Sequence, residues 1–176
     1  MIIAFDKQLL LASCILLCSL QAMATENIVM VGEYIADGGG NFEIVKIPEE
    51  EAIAVSYGYG HLMQIANVDS NLKGDCYMFG SWDIIIPFDL AQDSVVDCIG
   101  GKATVVSEGV EFKLRDGGKT PVSKVEINRY GEATKNGKTY RRAGGEMTYF
   151  LYVSKQHGLI GIEFEPGEAG AIFRRK

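Results

Sequence analysis

Few residues in this sequence could carry out acid–base or nucleophilic chemistry, and they form no known catalytic pattern. The two histidines are His61, in a stretch of alternating apolar residues, and His157, in a predicted turn. Ser81 lies in FGSWD rather than in a G-x-S-x-G motif, and a serine needs a neighbouring base to act as a nucleophile. The sequence therefore predicts no catalytic residue, and we expect a protein that is not an enzyme.

Residues that could hold a metal ion or a cofactor are equally sparse. The segment 69–75 (DSNLKGD) has part of the spacing of a calcium loop, with Asp69, Asn71 and Gly74 in place. Its fifth position is Lys73, where calcium needs an oxygen ligand. The glycine-rich stretches DGGG and CIGG do not extend into a nucleotide-binding motif. We therefore predict no metal site and no cofactor.

The cysteines give a more definite prediction. Cys14 and Cys18 belong to an apolar N-terminal run, whereas Cys76 and Cys98 lie 22 positions apart in the body of the chain. Two cysteines in an exported domain favour one structural disulfide. The alternative is a thiol pair for catalysis or metal binding, which the lack of a C-x-x-C motif disfavours. We predict a disulfide between Cys76 and Cys98.

Aromatic residues are concentrated in the middle of the chain, with Tyr57, Tyr59 and Trp82 among them. Aromatic side chains fill the cores of small sheet proteins, and tyrosine and tryptophan also anchor binding interfaces. Core packing is the default interpretation of the group. Under the second interpretation, which the sequence leaves open, Tyr57, Tyr59 and Trp82 are the candidate binding surface.

The elements that must position these residues are predicted to be β-strands. Residues 103–114, 122–130, 146–153 and 159–165 are alternating or continuously apolar, and turn sequences separate them. Asn136-Gly137 is the strongest short signal for a β-hairpin. We expect roughly eight to ten strands of ordinary length. The predicted fold is mostly β, with a single antiparallel β-meander forming a curved sheet, half-barrel or sandwich and little helix outside the N-terminal segment.

Residues 49–66 are ambiguous between strand and helix. Bulky residues from Ile53 to Ile65 fall on one parity and small residues on the other, as on a strand with one bare face. Pro48 and the glutamates after it would suit the first turn of a helix. Because two glycines interrupt the segment and glycine weakens helices, we favour a strand, bent at the glycines.

The N-terminus resembles an export signal. The apolar run at residues 9–20 is 12 residues long, whereas a membrane-spanning helix needs about 20. Small residues at Ala22 and Ala24 fit a signal-peptidase site. We predict a cleaved signal peptide at residues 1–24 and a single exported β-rich domain at 25–176, with no transmembrane span in the mature chain. The expected location is periplasmic or secreted.

A second processing route is lipidation. Residues 11–14 (LASC) resemble a bacterial lipobox, in which Cys14 would carry the lipid. A lipobox normally ends the apolar run, but strongly apolar residues follow Cys14 here. The lipoprotein alternative is therefore less favoured than cleavage after Ala24.

The charge of the chain disfavours two classes of partner. There are 17 lysines and arginines against 23 aspartates and glutamates, for a formal net charge of −6. Nucleic acids and anionic bilayers require a cationic face. We expect neither as a partner.

The stretch 145–165 (GEMTYFLYVSKQHGLIGIEFE) resembles the late strands of bacterial periplasmic half-barrel envelope proteins, which include lipoprotein-carrier-like families. An aromatic strand with Tyr149, Phe150 and Tyr152 runs into the turn Gly158-Leu159-Ile160. The resemblance implies a curved sheet whose concave apolar face holds a lipid or acyl chain, or binds a partner. It carries over no catalytic residue.

Together these features lead to an expected function. We expect a non-enzymatic exported (periplasmic) binding module that holds an apolar or lipid-like ligand. The alternative is a protein-binding inhibitor or immunity protein that acts on an envelope enzyme, because a compact, acidic, disulfide-bonded β domain suits that role.

Overall fold

The computed structural model describes residues 30–47, 50, 52–57, 63–164 and 171–176, which form fifteen β-strands and no helix. The predicted mostly β fold is confirmed. No described segment forms a helix long and apolar enough to cross a membrane. The predictions for residues 1–24, with Cys14, and for Tyr59 and His61 lie outside the described residues.

The strands are β1 (Gly32–Ala36), β2 (Asn41–Ile47), β3 (Ala52–Tyr57), β4 (Met63–Ile65), β5 (Asn67–Asn71), β6 (Gly74–Met78), β7 (Asp83–Pro87), β8 (Val95–Cys98), β9 (Gly101–Lys113), β10 (Lys119–Arg129), β11 (Glu132–Lys135), β12 (Lys138–Arg141), β13 (Met147–Ser154), β14 (Gly158–Phe164) and β15 (Ala171–Arg175).

Ten of these strands form one curved antiparallel sheet, which we call the large sheet. Its order is β4-β3-β2-β1-β15-β14-β13-β10-β9-β8, and it stays open with β4 and β8 as its edges. The last strand, β15, lies between β1 and β14, where Phe173 pairs with Ala36 on one side and with Ile162 on the other. The C-terminal strand therefore joins the N-terminal hairpins to the rest of the sheet.

The second sheet, which we call the small sheet, consists of β5, β6 and β7 and packs against one face of the large sheet. All five residues of β7 are buried, and β7 contacts β8, β9 and β10. Ile85 belongs to the same buried cluster as Val105 and Val125 of the large sheet. The small sheet therefore covers the apolar face that β9 and β10 present to it.

The predicted disulfide is confirmed. Cys76 in β6 is bonded to Cys98 in β8, with 6.4 Å between their Cα atoms. Both cysteines are buried. A loop of this length stabilises the folded state by about 3 kcal/mol in the chain-entropy model. The bond fastens the small sheet to an edge of the large one.

The predicted Asn136-Gly137 hairpin is also present, as a separate two-stranded sheet of β11 and β12. We call it the hairpin. Asn136 and Gly137 have φ values of 53° and 74°, as a type I′ turn requires at both central residues. The four residues of β12 are exposed, so the hairpin projects from the body of the protein between β10 and β13.

Two sequence-based expectations differ from the structure. The described residues form fifteen strands rather than eight to ten, because several pairings involve strands of only three to five residues. The segment 52–65 is not one bent strand but two strands, β3 and β4, which pair with each other antiparallel. Their strand conformation agrees with the favoured interpretation of residues 49–66, within the described part of that segment.

A second apolar cluster lies on the opposite face of the large sheet, where Phe112 packs against Tyr152 with 4.5 Å between ring centroids. The ring of Phe112 also lies over Gly161, so closely that a Cβ at Gly161 would be 2.5 Å from the Phe112 Cζ. Glycine is therefore required at position 161 by packing rather than by backbone conformation.

We expect Gly161→Ala to lower the free energy of unfolding by about 1–3 kcal/mol, because an overpacked side chain must displace the ring of Phe112. The control is Gly38→Ala, where an added Cβ would meet no atom within 4 Å. Urea unfolding of both variants checks the difference. Equal stability of the two would contradict the close packing of Phe112 on Gly161.

Candidate functional site

A buried ion pair holds the base of the hairpin against the small sheet. Asp83 begins β7 and is fully buried, and the Arg142 side chain that faces it is 6% exposed. The Arg142 guanidinium donates from both terminal nitrogens to the two carboxylate oxygens, with 2.5 Å from Nη1 to Oδ2. Bidentate arginine–carboxylate pairs of this kind are among the stronger polar contacts in proteins.

Arg142 also fixes the strand ends around it through backbone atoms. Its Nη1 donates to the carbonyl of Gly100 at 3.0 Å, and its backbone N–H donates to Gly131 at 2.9 Å. The N–H of Tyr130 donates to the same Gly100 carbonyl at 2.9 Å. Gly100 has no room for a side chain, because an added Cβ would lie 2.6 Å from the Asp83 carboxylate. The β8–β9 turn is thus closed onto the ion pair.

Arg129, the last residue of β10, is a second buried cation beside this pair. Its Nη1 donates to the carbonyls of Gly80 and Ser81 at 3.2 and 2.5 Å. Its Nη2 donates to the carbonyl of Ala143 at 2.8 Å and to that of Gly145. The Nε atom has no partner among the described residues. One guanidinium therefore joins the loop before β7 to the loop after the hairpin.

Tyr149 completes the cluster from β13. Its hydroxyl donates to the Asp83 carbonyl at 2.5 Å and accepts from the Asp83 backbone N–H at 2.6 Å. We call Asp83, Arg129, Arg142 and Tyr149 the hairpin clamp. Its members come from β7, β10, the end of the hairpin and β13, so it connects the hairpin and both sheets.

Burial sets the electrostatics of the hairpin clamp. Burial raises the pKa of the Asp83 carboxyl, and hydrogen bonds from Arg142 act in the opposite direction. Burial lowers the pKa of Arg129 and raises that of the Tyr149 hydroxyl well above its usual value. An arginine stays protonated even when its pKa falls somewhat. Two cations therefore face one carboxylate, which leaves a net positive charge beneath the surface.

A groove of about 590 Å³ opens above the hairpin clamp, between the hairpin and the small sheet. We call it the hairpin groove. Ala133, Lys135, Tyr140 and Arg141 of the hairpin line one side. The alternation of burial along β11 explains the orientation of Ala133 and Lys135, which are half-buried, whereas Glu132 and Thr134 are exposed.

The other side of the hairpin groove combines apolar and neutral polar side chains. Met78 and Ile99 supply apolar surface, and Gln64, Asn67 and Ser81 supply amide and hydroxyl groups. None of the described residues that line the groove is an aspartate or a glutamate. The hairpin groove thus has cations on one wall, apolar surface on both walls and no carboxylate among its described lining residues.

The structure connects two of the three aromatic residues predicted as a binding surface. Trp82 is 4% exposed and belongs to the main core. Its indole Nε1 donates to the hydroxyl of Tyr57 at 2.7 Å, and that hydroxyl lies 3.4 Å from the Ser81 Oγ. Ser81 also donates to Gln64 Oε1 at 3.2 Å. Trp82 is therefore not on the surface but is linked to the hairpin groove through Tyr57 and Ser81.

The other candidate residues are Ser81, His157 and Asp69. The hydrogen-bonding side chains around Ser81 are those of Tyr57 and Gln64, and neither is a general base. His157 is exposed in the β13–β14 turn. Asp69, from the segment with calcium-loop spacing, accepts a hydrogen bond from the backbone N–H of Ile99 at 3.0 Å. Within the described residues, no group of three or more potential ligands could hold a metal ion.

The residues that form the hairpin groove were not identified from the sequence, although one signal was present. The stretch KNGKTYRR surrounds the predicted turn with four cations. Reading the turn and these charges together would have indicated a cationic hairpin. Comparison of the chain with protein-family models, curated proteins and solved structures finds no match.

We expect Arg142→Ala to destabilise the fold by about 3–5 kcal/mol, because it leaves the buried Asp83 carboxylate without its partner. Arg141→Ala is a matched control at the adjacent position. The Arg141 side chain is 91% exposed, so its loss should cost less than about 1 kcal/mol. Urea unfolding of both variants provides the comparison, and similar midpoints would contradict the role of the hairpin clamp.

The Arg142→Ala variant should also show a characteristic pH dependence. Without Arg142, burial raises the pKa of Asp83 unopposed by that arginine. The folded state then binds the Asp83 proton more tightly than the unfolded state does. The free energy of unfolding therefore falls as the pH rises from the pKa of Asp83 in the unfolded state to its higher pKa in the folded state. We expect a smaller defect at about pH 4 than at about pH 7, measured as the difference from wild type in urea unfolding. A defect that grows on acidification would contradict this assignment.

Proposed function

We propose that this chain is a non-enzymatic, exported binding module that takes an apolar or lipid-like ligand in the hairpin groove. The observation that carries the proposal is the groove itself, with a volume of about 590 Å³. Sites for small molecules typically measure about 300–1,000 Å³ and combine apolar surface with a few polar groups. Met78, Ile99 and Tyr140 supply the former, and Ser81 and Gln64 the latter.

The position of this site differs from the one that the half-barrel resemblance implies. In a lipid carrier of that kind, the apolar face of the curved sheet would be open to the ligand. In this chain, Ile84, Ile85 and Ile86 of β7 pack into the core that this face forms. We therefore assign the ligand to the hairpin groove rather than to the face of the large sheet.

The side chains in the hairpin groove support binding more than catalysis. A hydroxyl nucleophile needs a base that can take its proton. The Ser81 hydroxyl instead donates a hydrogen bond to the amide oxygen of Gln64 and lies beside the phenol hydroxyl of Tyr57. The groove contributes hydrogen-bonding and apolar surface from elements that the hairpin clamp holds in place. Such rigid support suits selective binding, because less ordering is required when the ligand arrives.

Trp82 provides a direct test, because it is the single tryptophan of the chain and is linked to Ser81 through Tyr57. We expect decan-1-ol, kept in its soluble range, to change the emission of Trp82 saturably. Ala133→Phe should weaken this binding about tenfold, because the larger side chain fills the groove. Thr134→Phe is the matched control on the opposite face of β11, where the side chain is exposed.

The expected result is a weaker response for Ala133→Phe and an unchanged one for Thr134→Phe. The same titrations followed by calorimetry separate binding from a purely optical effect. If no amphiphile gives a saturable signal, the assignment of a ligand to this groove is overturned.

A second candidate function, protein binding by an inhibitor or immunity protein, is favoured by a different surface. Among the described strands, β4 ends the large sheet and β5 ends the small one. Exposed apolar side chains occur on both edge strands and in the turn after β5, with exposures of 60% at Met63 and 47% at Ile65 in β4, 48% at Val68 in β5 and 99% at Leu72 in the turn. Sheet edges of this kind accept strands from other proteins.

For this second candidate, we expect the double variant Ile65→Lys, Val68→Lys to lose an envelope protein that the wild type retains in a pull-down. Val106→Lys is the control, because Val106 is similarly exposed but lies on β9. Charged side chains on an edge strand block further pairing. Retention of the same protein by both variants would argue against binding at this edge.

A further inference from the structure

The hairpin concentrates positive charge in an otherwise acidic chain. Residues 132–141 contain three cations, Lys135, Lys138 and Arg141, and one carboxylate, Glu132, for a net charge of +2, while the whole chain has a net charge of −6. The cation Arg141 contacts Glu132, with 3.2 Å between Nε and Oε1, but both side chains are largely exposed. The charges of this pair sum to zero, which leaves Lys135 and Lys138 as the cations that carry the net charge of the hairpin. The positive potential of the hairpin therefore persists at the hairpin groove.

The register of the hairpin places two of these cations directly opposite each other. Lys135 pairs with Lys138 across the antiparallel strands. Like charges at such positions destabilise a hairpin. No carboxylate in the described ranges lies within ion-pair distance of either ammonium group. An anion bound at Lys135 would relieve this repulsion.

The hairpin clamp adds positive charge beneath the same groove. Arg129 binds the carbonyls of Gly80, Ser81 and Ala143, and these three residues line the groove. Arg142 is neutralised by Asp83, whereas Arg129 is bound only by backbone carbonyls in the described part of the chain. The floor of the groove thus lies on a buried cation that no carboxylate pairs with directly.

We infer that the ligand of the hairpin groove is an anionic amphiphile, with its acidic head group at Lys135, beside the Lys138 that pairs with it, and its apolar chain against Met78, Ile99 and Tyr140. This inference rests on the proposed function and adds the charge of the ligand. The shared chemistry of the head group is a carboxylate or a phosphate, as in fatty acids and alkyl phosphates. Both are acceptors for lysine and arginine.

The test uses four probes of equal chain length, with the three ionic probes kept below their critical micelle concentrations and the neutral one below its solubility limit. They are decanoate, decyl phosphate, decan-1-ol and decyltrimethylammonium, titrated against the protein by calorimetry and by Trp82 emission. We expect the two anions to bind at least about fivefold more tightly than decan-1-ol, and the cation to bind most weakly. The ratio of decanoate to decyl phosphate affinity identifies which head group the site prefers.

Two variants locate the head group. Lys135→Gln and Lys138→Gln should each weaken decanoate binding about threefold to fivefold and leave decan-1-ol binding unchanged. The control is Lys119→Gln. Lys119 begins β10 and Arg129, beneath the groove, ends it, so Lys119 lies at the far end of the strand and does not line the groove. Raising the salt concentration should weaken decanoate binding and spare decan-1-ol, because screening acts only on the charged probe.

The outcomes separate this inference from the proposed function. If decan-1-ol binds as tightly as decanoate, and Lys135→Gln changes the affinity for neither probe, the inference of an anionic ligand is overturned. The proposal that the groove binds an apolar ligand would then still hold. If none of the four probes binds, both are overturned. Selective loss of the anions in Lys135→Gln, with Lys119→Gln behaving as wild type, supports the head-group position.

Discussion

The buried charge of Asp83 is the constraint around which the end of the protein that carries the hairpin groove is arranged. A carboxylate without solvent requires cationic and hydrogen-bonding partners, and losing one of them is costly. Arg142 supplies a bidentate contact, and Tyr149 fixes the backbone of the same residue. Arg142 comes from the end of the hairpin and Tyr149 from β13. If the hairpin moved away from β7, the Asp83 carboxylate would lose its ion-pair partner or become exposed to solvent. The hairpin groove exists because of this attachment.

The small sheet determines which apolar surface is buried in the core and which space stays open as the groove. β7 is buried along its whole length and packs on β9 and β10, and the Cys76–Cys98 disulfide fastens β6 to β8. An apolar sheet face that could have held an acyl chain is thereby used as core. The remaining space lies at the end of the molecule, where the hairpin projects beyond the sheets. This arrangement explains how a curved β-sheet protein can have a dense core and still offer a groove.

Local features were predictable from the sequence because neighbouring residues encode them. Asn136-Gly137 specifies its hairpin through positive φ angles that these residue types tolerate. Gly158 likewise has a φ of 71° at the β13–β14 turn. The Cys76–Cys98 disulfide followed from there being two cysteines in the predicted mature chain. Each of these predictions required only short-range chemistry or counting.

Long-range pairings could not be predicted in the same way. Asp83 and Arg142 are 59 positions apart, and nothing in their immediate surroundings identifies them as partners. The insertion of β15 between β1 and β14 depends on hydrogen bonding between opposite ends of the chain. The folding of β5, β6 and β7 into a second sheet reflects three-dimensional packing rather than a difference in their alternation patterns. The hairpin groove depends on these long-range contacts, which is why the sequence did not reveal it.

An amide correlation spectrum of the isotope-labelled protein, titrated with decanoate, tests the central claim most directly. A ligand in the hairpin groove should shift the amides of residues 78–81, of Ile99 and of residues 133–143. The amides of Leu72, in the turn after β5, and of His157, in the β13–β14 turn, should stay in place, because neither residue lines the groove. Shifts confined to residues outside the groove, or no saturable shift at the hairpin, would contradict the assignment of ligand binding to the hairpin groove.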